Sequence, residues 1–85
     1  MGIKYRRLRS LPARDLVSAL MRDGFALDRQ AGSHQHYRHA DGRRVTVTFH
    51  APSDTFGVKL LKYMLEDQAR WTEDDLRRLG LIKGR

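Results

Sequence analysis

The sequence predicts an α+β domain in which helices cover one face of a three-stranded antiparallel sheet. Three observations predict it. Apolar residues at helical spacing, Ala13, Leu16, Val17 and Leu20, run up to Gly24. Three short segments with strand-like alternation follow, divided by Ala31-Gly32-Ser33 and by Asp41-Gly42. A second helical stripe, Gly57, Leu60, Leu61, Met64 and Leu65, comes next, and a short segment with helix-entry signals closes the chain. Elements in the order α-β-β-β-α, plus a short C-terminal helix, bury their apolar faces most simply with the helices on one side of the sheet.

Residues 1–10 read as a basic N-terminal arm carrying Lys4, Arg6, Arg7 and Arg9, ahead of a single domain over residues 11–85. Leu11-Pro12 opens the first helix, because the missing N–H of proline would be unpaired at the first helical position anyway. Gly24 stops it, since glycine readily takes the left-handed conformation past a helix end. Phe25 and Leu27 alternate with Ala26 and Asp28 in a first strand that runs to about Gln30. The second strand runs from about His34 to His39. Asp41-Gly42 predicts a tight primed turn, which needs the positive φ these residues tolerate. In the third strand, Arg44 to Phe49, Val45, Val47 and Phe49 face one side and Thr46, Thr48 and His50 the other. Asp54 or Thr55 is placed to cap the next helix by accepting free backbone N–H groups. Thr72 caps the last one, with Glu73, Asp74 and Asp75 in the first turn, where the helix dipole favours negative charge. Trp71 and Leu76 flank that cap at the spacing of a hydrophobic staple.

Composition narrows the function. With 85 residues and no cysteine, neither a disulfide framework nor a thiolate metal centre is available, and a cytoplasmic protein is expected. No apolar run approaches the roughly 20 residues needed to cross a bilayer, so no membrane partner is expected. The basic start is not followed by the apolar core of a signal peptide. The net charge of +7 is uneven: residues 1–44 hold ten Lys and Arg against four Asp and Glu, and the remainder hold seven against six. A field of that sign suits a polyanion, nucleic acid first among them, and would also suit an acidic protein.

The chemistry concentrates in the same half. Three of the four histidines, His34, His36 and His39, lie in the second strand, and the fourth, His50, follows the third. Imidazole is the side chain that changes charge near neutral pH without help from its surroundings. Strand alternation puts His34, His36 and Arg38 on one face and turns Tyr37 toward the helices. Thr46, Thr48 and His50 should share the histidine face. Such a set suits RNA cleavage, in which a ribose 2′-OH attacks the adjacent phosphate. A general base takes its proton and a general acid protonates the leaving 5′ oxygen, roles for which histidine is well matched. Arg29, Arg38, Arg43 or Arg44 could hold the phosphate through paired donors, and Gly32 could let a backbone N–H approach it. The chemistry needs no metal and no cofactor. His36 and His39 read as surface strand residues rather than catalysts, and His50 is the best candidate to assist His34.

The segments Arg29-Gln30-Ala31-Gly32-Ser33-His34, Tyr37-Arg38-His39, Asp41-Gly42-Arg43-Arg44 and Val45-Thr46-Val47, in this order and spacing, resemble the HicA (YcfA-like) family of bacterial toxins. The resemblance runs from Leu11 onward and implies a HicA-like domain with an αβββα fold similar to a double-stranded-RNA-binding domain. It implies the toxin of a type II toxin–antitoxin system, a ribosome-independent mRNA interferase, neutralised by a HicB-type antitoxin. His34 matches the catalytic histidine of the family, and Gly32 and Ser33 its neighbours. Arg29, Arg38, Arg44 and His50 complete the expected RNA-binding set. The alternative reading is a non-catalytic RNA-binding module. Against it, Thr55-Phe56-Gly57-Val58 stands where such modules carry a lysine cluster, with Lys59 and Lys62 only later. The arm through Ser10 is longer than the usual start of the family, and Gln35-His36 departs from its usual residues after the catalytic histidine.

Overall fold

The computed structural model describes residues 3 and 5–82. Met1, Gly2 and Lys4 of the basic arm, and residues 83–85, lie outside the described residues. The expected α+β architecture is present. Helix α1 spans Ala13–Arg22, strands β1, β2 and β3 span Phe25–Ala31, His34–His39 and Arg44–Thr48, and helix α2 begins over Val58–Lys62. It continues without a break into a π-helical turn over Tyr63–Gln68, and the short helix α3 covers Glu73–Arg78.

Pro12 is the extended residue before α1 rather than its first helical residue, with φ −76° and ψ 157°. The buried stripe of α1 is Ala13, Leu16, Ala19 and Leu20. In α2, Leu61, Met64 and Leu65 are buried, whereas Leu60 is exposed. Gly57, not Asp54 or Thr55, occupies the capping position of α2, and no side chain caps it. The Asp54 carboxylate instead accepts the backbone N–H groups of His50 and Ala51, closing the loop after β3. α3 has the expected capping box: Thr72 accepts the N–H of Asp75, and the Asp75 carboxylate accepts the N–H of Thr72. Trp71 and Leu76, the two residues of the predicted staple, are both buried.

The sheet order is β1-β2-β3, antiparallel throughout. The β2–β3 hairpin forms, but not through a two-residue primed turn. His39 N–H bonds to the Arg43 carbonyl, and Gly42 N–H bonds back to the His39 carbonyl at 3.0 Å. Only Gly42 of this loop has positive φ, so the loop is a three-residue one ending in a left-handed glycine. Tyr37, Val45 and Val47 line the inner face of the sheet and meet Leu16, Leu20, Leu61, Met64 and Leu65 in the core.

Within the segment read as a basic arm, the described residues Ile3, Tyr5 and Leu8 are packed against the domain. Tyr5–Leu8 forms a 3-10 turn whose Leu8 is 1% exposed, and the Tyr5 hydroxyl donates to Glu66. Burial, with the Glu66 hydrogen bond adding to it, pushes the Tyr5 phenol pKa upward.

Candidate active site on the open face of the sheet

The sheet's second face carries no helix-facing core residues, and the register arranges its side chains in rows. Side chains directly opposite one another share a face. One row is therefore Ala31, His34 and Thr48; the next is Arg29, His36 and Thr46; the third is Ala26, Arg38 and Arg44. Simple alternation from Phe25 and Leu27 would send Arg29 to the core side. A bulge between Leu27 and Arg29 leaves Asp28 unpaired and shifts the phase, so Arg29 arrives opposite His36.

His34 opens β2 immediately after the turn. The Ala31–His34 pair encloses a two-residue loop, Gly32-Ser33. Gly32 has φ +59°, and Ser33 does not have positive φ, the pattern of a type II′ turn with glycine first. The Gln30 side chain braces the loop by donating to the Gly32 carbonyl at 3.2 Å. The Ser33 carbonyl accepts the Phe49 N–H and extends the ladder past the end of β3. Thus Gly32 and Ser33 fix where His34 begins its strand.

The His34 ring is exposed, and its Nδ1 is hydrogen-bonded to the Thr48 hydroxyl at 2.9 Å. A hydroxyl can donate or accept, so it supports either neutral tautomer. When Thr48 donates, Nε2 carries the proton and can give it away; when Nδ1 donates, Nε2 offers a lone pair. The arrangement repeats one row along, where His36 Nδ1 meets the Thr46 hydroxyl at 3.0 Å. Arg29, Arg38 and Arg44 are exposed and form no ion pair among the described residues. A shallow depression of about 340 Å³ opens at the Arg38 end, lined by Ala26, Leu27, Asp28, Arg38, His39 and Ala40, and does not include His34. Among the described residues, no three His, Asp or Glu side chains gather as a metal site.

Two residues from the sequence reading belong elsewhere. His39 is not a surface strand residue: it stacks edge-on against Phe25 at 5.0 Å between ring centroids. Its Nε2 contacts the Asp23 carbonyl at 2.8 Å, and its Nδ1 accepts the Asp41 N–H. Arg43 is also committed. It bonds Asp41, Asp23 and the Ala69 carbonyl and lies over the Phe25 ring. His50 is exposed beyond the end of β3, its backbone N–H tied to Asp54. The side chain hydrogen-bonded to His34 is Thr48, and alternation along β3 had already put that residue on the right face.

Comparison with known families fits this geometry. A family model for the HicA toxin of bacterial toxin–antitoxin systems matches residues 13–69, from the first residue of α1 to the end of α2. The chain belongs to the HicA toxin family. No curated protein matches it. The HicA match contains the whole open face and both histidine–threonine pairs. It excludes the N-terminal turn and α3, which this chain nevertheless packs onto the shared core. The αβββα arrangement is consistent with a double-stranded-RNA-binding-domain-like fold.

Proposed function

We propose that this HicA protein is a ribosome-independent endoribonuclease that cleaves mRNA by histidine acid–base catalysis on the open face of its sheet. The observation that carries the reading is the His34–Thr48 pair. It presents an exposed, oriented imidazole on the same face as three arginines that no carboxylate neutralises among the described residues. His34 either takes the proton of the attacking 2′-OH or gives one to the leaving 5′ oxygen. Arg29, Arg38 and Arg44 hold the phosphates of the strand, with bidentate donation the strongest mode available to them. Gly32, Ser33 and His50 line the end of the sheet where the strand passes His34. Attack by the 2′-OH leaves a 2′,3′-cyclic phosphate and a free 5′-OH.

The same face suits a HicB-type antitoxin. An acidic surface laid over Arg29, Arg38 and Arg44 would match their charge and cover His34 at once. No described helix is long and apolar enough to cross a membrane. Both the RNA substrate and the antitoxin place the toxin in the cytoplasm.

The test is cleavage of a defined single-stranded RNA, with chelator present, by the wild type and by His34→Ala. Wild-type cleavage to cyclic-phosphate ends and loss of at least about 100-fold in His34→Ala are expected, the scale of a lost proton-transfer group. Equal rates in the two proteins would remove His34 from the mechanism. Tight, salt-sensitive duplex binding without cleavage by the wild type would favour the RNA-binding module instead.

A further inference from the structure

The open face holds a second imidazole in the same setting as the first. His34 and His36 are two residues apart on β2, so their side chains leave the same face about 7 Å apart. Each has Nδ1 bound to a threonine hydroxyl on β3, Thr48 at 2.9 Å and Thr46 at 3.0 Å. Each therefore keeps Nε2 for a substrate and can hold it protonated or unprotonated. His36 is half-buried between Arg29 on one side and Thr46 on the other, and its neighbours along the face are His34 and Arg38. His50 has no comparable setting: it lies past the strand end, and Asp54 holds its backbone.

We propose that His36 is the second proton-transfer residue, the complement of His34, and that the scissile phosphate lies between the two rings. The proposal rests on the ribonuclease reading above. Cleavage forms the O2′–P bond and breaks the P–O5′ bond. The 2′-OH proton goes to the unprotonated imidazole, and the protonated imidazole gives its proton to O5′. One ring ends cationic and the other neutral, and proton exchange with water restores the starting pair. The two hydrogen bonds meet the attacking and leaving oxygens at an angle. Side chains rooted about 7 Å apart on the strand can therefore each bring Nε2 within the roughly 3 Å that proton transfer requires. Arg29, brought opposite His36 by the β1 bulge, then stands beside the phosphorus charge that develops.

The sequence pattern argues for a spectator at this position, because a strand histidine on a polar face is ordinarily solvated. The structure distinguishes His36 by the repeated threonine bond and by register, neither of which is visible before the third strand is paired.

The test uses the full-length protein and two RNA substrates, one with a normal scissile phosphodiester and one with sulfur in place of the bridging 5′ oxygen. A thiolate leaves without being protonated, so the second substrate has no need of the acid. On the normal RNA, His36→Ala and His36→Gln should each lose about 100-fold or more in kcat, with thermal midpoints close to wild type. On the sulfur substrate, exactly one of the two positions, 34 or 36, should recover to within about tenfold of wild type while the other stays impaired, because only one of them supplies the leaving-group proton. Wild-type rates in both His36 variants would overturn the proposal. So would a loss at His36 accompanied by rescue of both positions or of neither. Absence of cleavage by the wild type on both substrates would instead count against the ribonuclease reading itself.

Discussion

Asp23, just past the end of α1, accepts the indole N–H of Trp71 at 2.8 Å and so ties the first helix to the entry of the last. The same carboxylate pairs with Arg78 at 3.0 Å and with Arg43 at 3.2 Å, while its backbone carbonyl contacts His39. The Asp23 side chain is only 10% exposed. Asp23→Ala would leave the Trp71 indole N–H without its acceptor and take from the Arg43 guanidinium one of its three partners. A loss of about 2–4 kcal/mol is expected, because hydrogen bonds to charged groups contribute more than neutral ones and their stranded partners stay desolvated. Chemical denaturation of the two proteins would measure it.

The same residue predicts a pH dependence. Burial alone would raise the Asp23 pKa. Hydrogen bonds from Trp71 and Arg78, with the charges of Arg43 and Arg78, outweigh that and hold it below the ordinary 3.8. A carboxyl with a lower pKa in the folded state stabilises the fold above its unfolded value. That contribution disappears as pH falls through the folded value. Thermal midpoints should therefore fall as the solution is taken below about pH 4, the ordinary range of such a group. Asp41, Asp54 and Asp75 shift in the same direction and share the slope. The Asp23 share is read from the difference between wild type and Asp23→Asn, which should narrow toward low pH.

Gly24 and Gly32 both have positive φ, but their surroundings differ. A Cβ at Gly24 would lie 2.8 Å from His39 Nε2, whereas one at Gly32 would meet nothing within 4 Å. Gly32→Ala should cost about 1–3 kcal/mol, the backbone strain alone. Gly24→Ala should cost about 2–4 kcal/mol, since the same kind of penalty is joined by a clash that displaces His39. Equal melting temperatures in the two variants would contradict this ordering.

Thr48 holds His34 through its hydroxyl on the open face of the sheet. Thr48→Val keeps the shape and removes the hydroxyl. Cleavage should fall about 10- to 100-fold, the range in which a misplaced catalytic group costs rate, with stability nearly unchanged. Thr48→Ser should restore most of the activity, because the hydroxyl returns. A valine variant as active as wild type would mean that the pair does not hold His34 for reaction.

The order of elements was legible because each has a local cause: the stripe of α1, the alternation of Val45 and Val47, and the capping box at Thr72 and Asp75. The histidine face was legible from alternation along β2. What was not legible depends on pairing between segments. The bulge at Asp28 shifts Arg29 to the open face, and no local rule marks that residue. Arg43 and His39 looked available on composition, yet both are drawn into the Asp23 network by contacts from distant parts of the chain. The Asp41-Gly42 signal correctly marked a hairpin but not its loop length, which the His39–Arg43 pairing sets. Leu60 followed the helical pattern and is exposed all the same.

The family resemblance and the physical domain have different limits. Every residue of the proposed site falls within positions 13–69, but Leu8, Trp71, Leu76 and Leu79, all nearly inaccessible to solvent, do not. A chain trimmed to the matched residues would keep each reacting group and lose four pieces of the core beneath them, along with the Trp71 and Arg78 donors to Asp23. The flanks thus act as a foundation rather than as part of the site: mild variation there would tune how long the toxin survives unfolding and proteolysis while leaving its reacting groups in place.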